Sequence, residues 1–246
     1  MKLNYFDLLS PTPINIQNVG NVVSPKLKDI AEIGVENYNF YNSILLADSS
    51  FFYSLIGQEA KQNSEENIYD LFTSNDNTSK LLQDALNFFF VENVIFYKEE
   101  KIFLVVKDIN DIENSVVGTV NRYIYNELTD VILQLNNIKK RDENDISKIK
   151  SKKAMKIAQK IKNFKSKMKS NKKKDENMEL GNIISVVANR HKSINMTNVY
   201  QLTVYQLWDS YFRLIDNSIY EVQSTSAAVW GDKDFDVLSW TKRINN

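Results

Sequence analysis

The acidic side chains best spaced to bind a metal ion lie near the C-terminus. Asp232, Asp234 and Asp236 have the spacing of the first three ligands of a calcium-binding loop. Such a loop also needs glycine directly after the third ligand and a bidentate glutamate at its end. The chain has Val237 and Arg243 at these two positions. We therefore predict no metal site in this segment.

The other residues that could support catalysis are isolated from one another. His191 is the single histidine, and its place in an Arg-His-Lys run is typical of a solvated helix end. Asp108, Asp111 and Glu113 are close in sequence, but acids grouped in a loop are usually solvated. The absence of cysteine excludes thiolate metal sites, and none of the 6 glycines forms a phosphate-binding loop. We expect neither an enzyme nor a bound cofactor.

The strongest charge feature is a run of 13 lysines without an acid between Lys148 and Lys174. Within it, Ile157, Ile161, Phe164 and Met168 recur at spacings of 4, 3 and 4, which predicts a basic amphipathic helix. Four roles stay open: nucleic-acid binding, contact with an anionic membrane, docking to an acidic protein surface, or a solvated linker. Lysine without arginine gives affinity without base readout, so we favour a protein surface over nucleic acid and expect no membrane partner.

Net charge divides the chain into three parts. Residues 1–138 carry a net charge of −10, residues 139–174 carry +13, and residues 175–246 carry −3. We predict an acidic N-terminal α-rich domain with hairpins over residues 1–138. A lysine-rich amphipathic helix or linker would follow over residues 139–177, and a C-terminal helical region with a polar tail over residues 178–246. Apolar runs are too short for a signal peptide or a transmembrane helix, so we expect neither.

The elements that must position any functional residue are predicted to be mainly α, with one or two small β-hairpins. Only 6 glycines and 3 prolines are present, which favours helices over a turn-rich β fold. Alternating apolar residues around Asn18–Asn21 predict one hairpin, and β-branched runs on either side of Lys98–Lys101 predict a second. A long helix is expected over Thr119–Ile138.

The clearest amphipathic pattern of the chain begins after Thr203. Thr203 and Gln206 have the spacing of a capping box, and Gly231 is placed to end the helix. The apolar positions that follow at helical spacing are Val204, Leu207, Trp208, Tyr211, Phe212 and Ile215. We interpret the aromatic residues among them as core or partner-facing packing.

Four stretches share a pattern of apolar and turn residues with a known protein family. They are NYFDLLSPTPINIQNVGNVVSPKLKDIAEIG, ALNFFF before a hairpin, NSVVGTVNRYIYNELTDVILQLNNI, and LTVYQLWDSYFRL with the aromatic-containing tail VLSWTKRINN. This pattern resembles the tail assembly chaperones of long-tailed phages and prophages of Gram-positive bacteria, which are encoded just before the tape-measure protein. The resemblance covers most of the chain, and the lysine segment departs from it.

The resemblance implies a non-enzymatic protein of the host cytoplasm that holds the helical tape-measure protein while tail-tube subunits polymerise around it. The tail-tube protein is a further expected partner, and a homo-oligomer remains open. The alternatives are a structural tail or baseplate protein and a lysine-rich nucleic-acid-binding protein. Charge and amphipathic pattern predict the partner-binding residues as Lys153, Lys156, Lys160, Phe164, Lys167, Trp208, Tyr211 and Phe212.

Overall fold

A computed structural model describes residues 1–58, 66–139, 178–232 and 234–242. The helices are α1 (Tyr5–Leu9), α2 (Leu27–Ile33), α3 (Val35–Leu45), α4 (Ser49–Leu55), α5 (Ile68–Phe72), α6 (Asp76–Phe89), α7 (Ile112–Ser115), α8 (Tyr125–Leu135), α9 (Leu180–Arg190) and α10 (Val204–Trp230). The strands are β1 (Ile14–Ile16), β2 (Gly20–Val22), β3 (Asn93–Tyr97), β4 (Ile102–Val106) and β5 (Val116–Val120). The predicted fold class, mainly α with small hairpins, is confirmed.

The strands form two antiparallel sheets, one of β1 and β2 and one in the order β3-β4-β5. Both predicted hairpins are present. The turn of the first hairpin lies against β5, because the backbone N–H of Thr119 donates to the carbonyl oxygen of Asn18 at 3.0 Å. At Gly118 the approach is so close that a Cβ would lie 2.4 Å from that same oxygen. Only glycine, which has no side chain, permits this contact.

The predicted helix Thr119–Ile138 is wrong at its N-terminal end. Val116–Val120 is the third strand of the larger sheet, and the helix begins at Tyr125. Valine and threonine fit a pleated strand well, and pairing with β4 outweighs the helical spacing of this stretch. Asn121 makes the turn between strand and helix, since its side-chain oxygen accepts the backbone N–H of Tyr123 at 2.9 Å.

The outer edge of β3 is closed by side chains of α6. The Asn87 amide accepts the N–H of Val94 at 2.7 Å and donates to the carbonyl oxygen of Val94 at 2.9 Å. Gln83 accepts the N–H of Phe96 at 2.7 Å. These amides take the hydrogen-bonding positions that a further strand would use.

The core combines residues from both ends of the described chain. Ile183, Val187 and Leu207 are fully buried in the same cluster as the residues of α6, α8 and the larger sheet. Backbone hydrogen bonds tie the two ends together, since the N–H of Leu27 donates to Leu202 and that of Val204 donates to Pro25. The position of α10 is therefore fixed by the N-terminal part of the chain. The three-part division of the chain stays a prediction.

For two buried tyrosines in the core, removal of the hydroxyl is expected to change stability in opposite directions. The hydroxyl of Tyr69 lies 2.8 Å from the carbonyl oxygen of Lys101 and 3.0 Å from that of Val120, whereas the hydroxyl of Tyr125 has no hydrogen-bond partner among the described residues. We expect Tyr69→Phe to lower the free energy of unfolding by about 1–2 kcal/mol. Tyr125→Phe removes an unpaired buried hydroxyl, so it should leave stability unchanged or raise it by up to about 1 kcal/mol.

Urea denaturation of the two variants measures both effects. The rings lie 5.4 Å apart between centroids, so each variant serves as the control for the loss of a hydroxyl in the same part of the core. Equal destabilisation by the two substitutions would contradict the difference in hydrogen bonding between the two hydroxyl groups.

Candidate helix-binding surface

The start of α10 is held by the predicted capping box, which is confirmed. The Thr203 hydroxyl accepts the N–H of Gln206 at 3.2 Å, and the Gln206 side chain accepts the N–H of Thr203 at 3.0 Å. The same glutamine side chain donates to the carbonyl oxygen of Leu9 at 2.8 Å. These bonds fix both where the helix begins and how it lies against α1.

A polar cluster attaches the first half of α10 to α1. The Tyr5 hydroxyl donates to Asp209 at 2.5 Å, and Arg213 donates to the Tyr5 oxygen at 3.3 Å. Partial burial raises the pKa of the Tyr5 hydroxyl, and its hydrogen bond to Asp209 raises that pKa further. Tyr5 therefore stays protonated as a donor at neutral pH, and Asp209 has a fixed partner.

The second half of α10 has contacts on two sides. Arg190 at the end of α9 donates to the Ser218 hydroxyl at 2.9 Å and lies 3.8 Å from Glu221. On the other side, the segment after α10 folds back, so that the ring of Phe235 lies 5.5 Å from that of Tyr220. Between these two contacts one face of the helix remains uncovered by the described residues.

The three aromatic residues predicted to bind a partner lie together at the start of this face. Trp208 and Phe212 are stacked, with ring centroids 5.8 Å apart and planes at 24°. Tyr211 packs edge-on against Trp208 at 6.0 Å. All three are partly buried. Trp208 and Tyr211 pack against the core, so each of these two has one side in the fold and one side available.

A cavity of about 390 Å³ opens beside Trp208 and Phe212. Its walls are formed by α3, the residues that follow α8, the start of α9 and the first half of α10. The other lining residues are Tyr38, Asn39, Asn42, Asn136, Asn137, Ile138, Met178, Leu180 and Val204. The Tyr38 hydroxyl donates to Asn136 at 2.8 Å, and the Asn42 amide donates to the backbone oxygen of Tyr38 at 3.0 Å. The cavity therefore has aromatic residues from α10 on one wall and ordered polar groups among the others.

An apolar seam runs from this cavity along α10. We define the seam as Trp208, Phe212, Ile215, Ile219, Val222 and Val229, which follow at spacings of 4, 3, 4, 3 and 7. Exposure rises along it, from 39% at Ile215 to 71% at Val222. Large apolar side chains exposed in one continuous row mark a protein-binding surface more often than single exposed residues do. A row on a helix at this spacing fits a second helix.

Sequence reasoning placed part of this surface and missed the rest. Trp208, Tyr211 and Phe212 share the predicted face, and their role in binding stays a prediction. Lys153, Lys156, Lys160, Phe164 and Lys167 lie outside the described residues. The alternation of 4 and 3 residues that continues through Ile219 and Val222 is visible in the sequence, but the exposure of these two side chains is known only from the structure.

His191 and Asp236, two of the candidate catalytic or metal-binding residues, form local hydrogen bonds instead. His191 ends α9, and its Nδ1 accepts the backbone N–H groups of Ser193 and Ile194 at 3.2 and 3.1 Å. Asp236 pairs with Lys242 at 2.5 Å, and this hydrogen bond lowers the pKa of its carboxyl group.

Two kinds of feature are absent from the described residues, a metal-binding cluster and a membrane-spanning helix. Within those ranges no group of three or more His, Asp or Glu side chains is arranged to hold a metal ion. No helix in those ranges is both long and apolar enough to cross a membrane.

One comparison with known proteins gives a match, and the match contains the seam. Residues 169–245 match the family model described as YomV second domain, which is a phage-related family. The matched part is less than half of the chain and includes α9 and α10. No curated protein and no solved structure matches the chain.

Proposed function

We propose, from the phage-related match of the region that contains the seam, that this protein is a tail assembly chaperone. In this role it binds the tape-measure protein in the host cytoplasm while the tail tube assembles. The exposed apolar seam of α10 is the observation that carries the proposal. The family resemblance of the N-terminal and C-terminal stretches supports the same role.

The geometry of the seam suits a partner that must be held and later released. Its inner end is fixed by the capping box and by Tyr5, so the surface is formed before the partner arrives. Its outer end is bordered by solvated residues, and the row of side chains is narrow. A preformed but narrow apolar surface gives binding without the large buried area of a permanent complex.

Co-expression with the tape-measure protein encoded next to this chain tests the proposal. We expect a tagged chain to keep the tape-measure protein soluble and to capture it at low and high salt. We also expect the chain to be absent from finished phage particles, because a chaperone leaves the assembly. Its presence in purified particles would instead identify a structural tail protein.

The 13 lysines between Lys148 and Lys174 favour nucleic-acid binding as a second candidate function. Excess duplex DNA is therefore added to the same capture experiment. Capture that survives DNA supports the chaperone role. Loss of capture together with salt-sensitive DNA binding would overturn the proposal, because a lysine-phosphate interaction weakens steeply as salt rises.

A further inference from the structure

The segment that follows α10 closes its own hydrogen bonds. Residues 234–242 turn back beside α10, and we call this segment the strap. The Asp236 carboxylate accepts the backbone N–H of Leu238 at 3.0 Å and pairs with Lys242 at 2.5 Å. Within this loop Ser239–Thr241 forms one turn of 3-10 helix. Because these bonds lie inside the strap, its shape does not depend on α10.

Among the described residues, Arg213 is the side chain of α10 that hydrogen-bonds the strap. It donates to the backbone oxygen of Lys242 at 2.7 Å and to that of Trp240 at 3.5 Å. Carbonyl groups at the end of a helical turn lack partners within the turn, and arginine binds such groups. Further along α10, the ring of Tyr220 packs against that of Phe235. Arg213 and Tyr220 are seven residues apart, so both lie on the same side of α10.

This attachment buries little apolar surface. No residue of the strap is buried, and only Phe235 and Ser239 are half-buried. Val237 and Leu238 remain 61% and 64% exposed, so their side chains do not hold the strap in place. Segments with few buried contacts separate from the rest of a fold at a low cost in free energy. The strap is therefore expected to leave α10 more easily than any element of the core.

Gly231 provides a hinge between α10 and the strap. Its φ of +77° lies in the left-handed region, which glycine adopts without strain. A Cβ at this position would meet nothing within 4 Å, so neighbouring groups do not restrict the backbone there. Hinges are usually residues at the end of an element that absorb a large change in backbone angle. Gly231 has both the place and the freedom that a hinge needs.

The docked strap borders the seam. Successive residues of a helix are rotated by about 100°, which places Tyr220 and Arg213 about 100° and 120° round α10 from Ile219. On the other side of the seam, Arg190 of α9 donates to Ser218. The docked strap therefore limits the width of α10 that another protein can reach. Its departure uncovers the side that carries Arg213 and Tyr220.

We propose that residues 234–242 form a releasable strap, which opens as a unit about Gly231 when its bonds to Arg213 break, and thereby widens the side of α10 that receives a partner. In the docked form Arg213 is shared between the strap and Tyr5. In the open form it keeps Tyr5. The opening follows from contacts within the chain, whereas its effect on partner binding rests on the proposed function.

Double electron–electron resonance on the full chain measures the opening. The chain has no cysteine, so Lys80→Cys in α6 and Val237→Cys in the strap add two spin-label sites without background. We expect a dominant distance for the docked strap. Arg213→Gln should raise the ratio of open to docked forms at least about tenfold, because hydrogen bonds from a charged group are lost. A distance that this variant leaves unchanged, or a parent protein without a docked distance, would overturn the inference.

Matched variants separate opening of the strap from a general loosening of α10. Phe235→Ala removes the ring contact and should also favour the open form. It lies in the exposed strap, so it tests opening even if Arg213→Gln destabilises the fold. Tyr5→Phe removes the bond from Arg213 to Tyr5, and Arg190→Gln removes the contact with α9. Both should leave the strap docked, and opening by either as large as that by Arg213→Gln would overturn the inference.

Capture of the tape-measure protein tests the effect on binding. Arg213→Gln and Phe235→Ala should each increase capture by about threefold, because a larger fraction of the chain is open to a partner. Equal capture by the parent and by both open variants would overturn this effect. If no form of the chain captures the tape-measure protein, the chaperone role fails. The distance measurement alone then decides whether the strap opens.

Discussion

Replacing Gly118 with alanine is expected to lower the free energy of unfolding by about 3 kcal/mol. The new Cβ would lie 2.4 Å from the carbonyl oxygen of Asn18 and 2.6 Å from the backbone nitrogen of Val19. These are backbone atoms of a turn that is hydrogen-bonded to β5, so neither can move aside as a flexible side chain would. The contact between the two sheets must open to admit a methyl group.

Gly181→Ala is the matched control for this prediction. A Cβ at Gly181 meets nothing within 4 Å, and the residue lies in α9. Alanine is the better helix former, so this variant should be more stable by about 0.5–1 kcal/mol. Urea unfolding of both variants gives the comparison. A Gly118→Ala protein as stable as the parent would contradict the close approach of the first hairpin to β5.

Trp208→Ala is expected to have two measurable effects. The indole is partly buried and stacked on Phe212, so its removal should lower the free energy of unfolding by about 2 kcal/mol. It also forms the inner end of the seam and one wall of the cavity. Capture of the partner should therefore weaken by at least about tenfold at a temperature where the variant remains folded, as expected for a large aromatic anchor.

Trp240→Ala controls for the loss of a tryptophan outside the seam. Trp240 is 48% exposed and lies in the segment after α10. We expect it to change stability little and capture not at all. If Trp208→Ala left both stability and capture unchanged, Trp208 would contribute neither to the packing of the fold nor to partner binding.

Local sequence patterns predicted the elements whose determinants are close together in the chain. The capping box of Thr203 and Gln206 and the end of α10 at Gly231 depend on residues within one turn of each other. The two hairpins likewise follow from alternation around a short turn. These elements could be predicted from the sequence because each depends only on residues that are near one another in the chain.

The features that were not predicted depend on contacts between distant residues. Thr119 and Val120 were predicted as the start of a helix, but pairing with β4 places both in a strand. The need for glycine at position 118 arises from Asn18, one hundred residues earlier. The cavity likewise requires Tyr38 and Asn136 to be brought beside Trp208. No local pattern encodes such proximity.

The closed outer edge of β3 has a consequence for selectivity. An open strand edge pairs through the backbone, which is the same in every protein, and so accepts unfolded chains indiscriminately. Here Asn87 and Gln83 saturate the outward-facing groups of Val94 and Phe96. Strand addition at this edge is therefore blocked, and another chain could contact this side of the sheet only through side chains, which differ between proteins. The amides of two residues thereby remove one site at which an unfolded chain could pair without regard to its sequence.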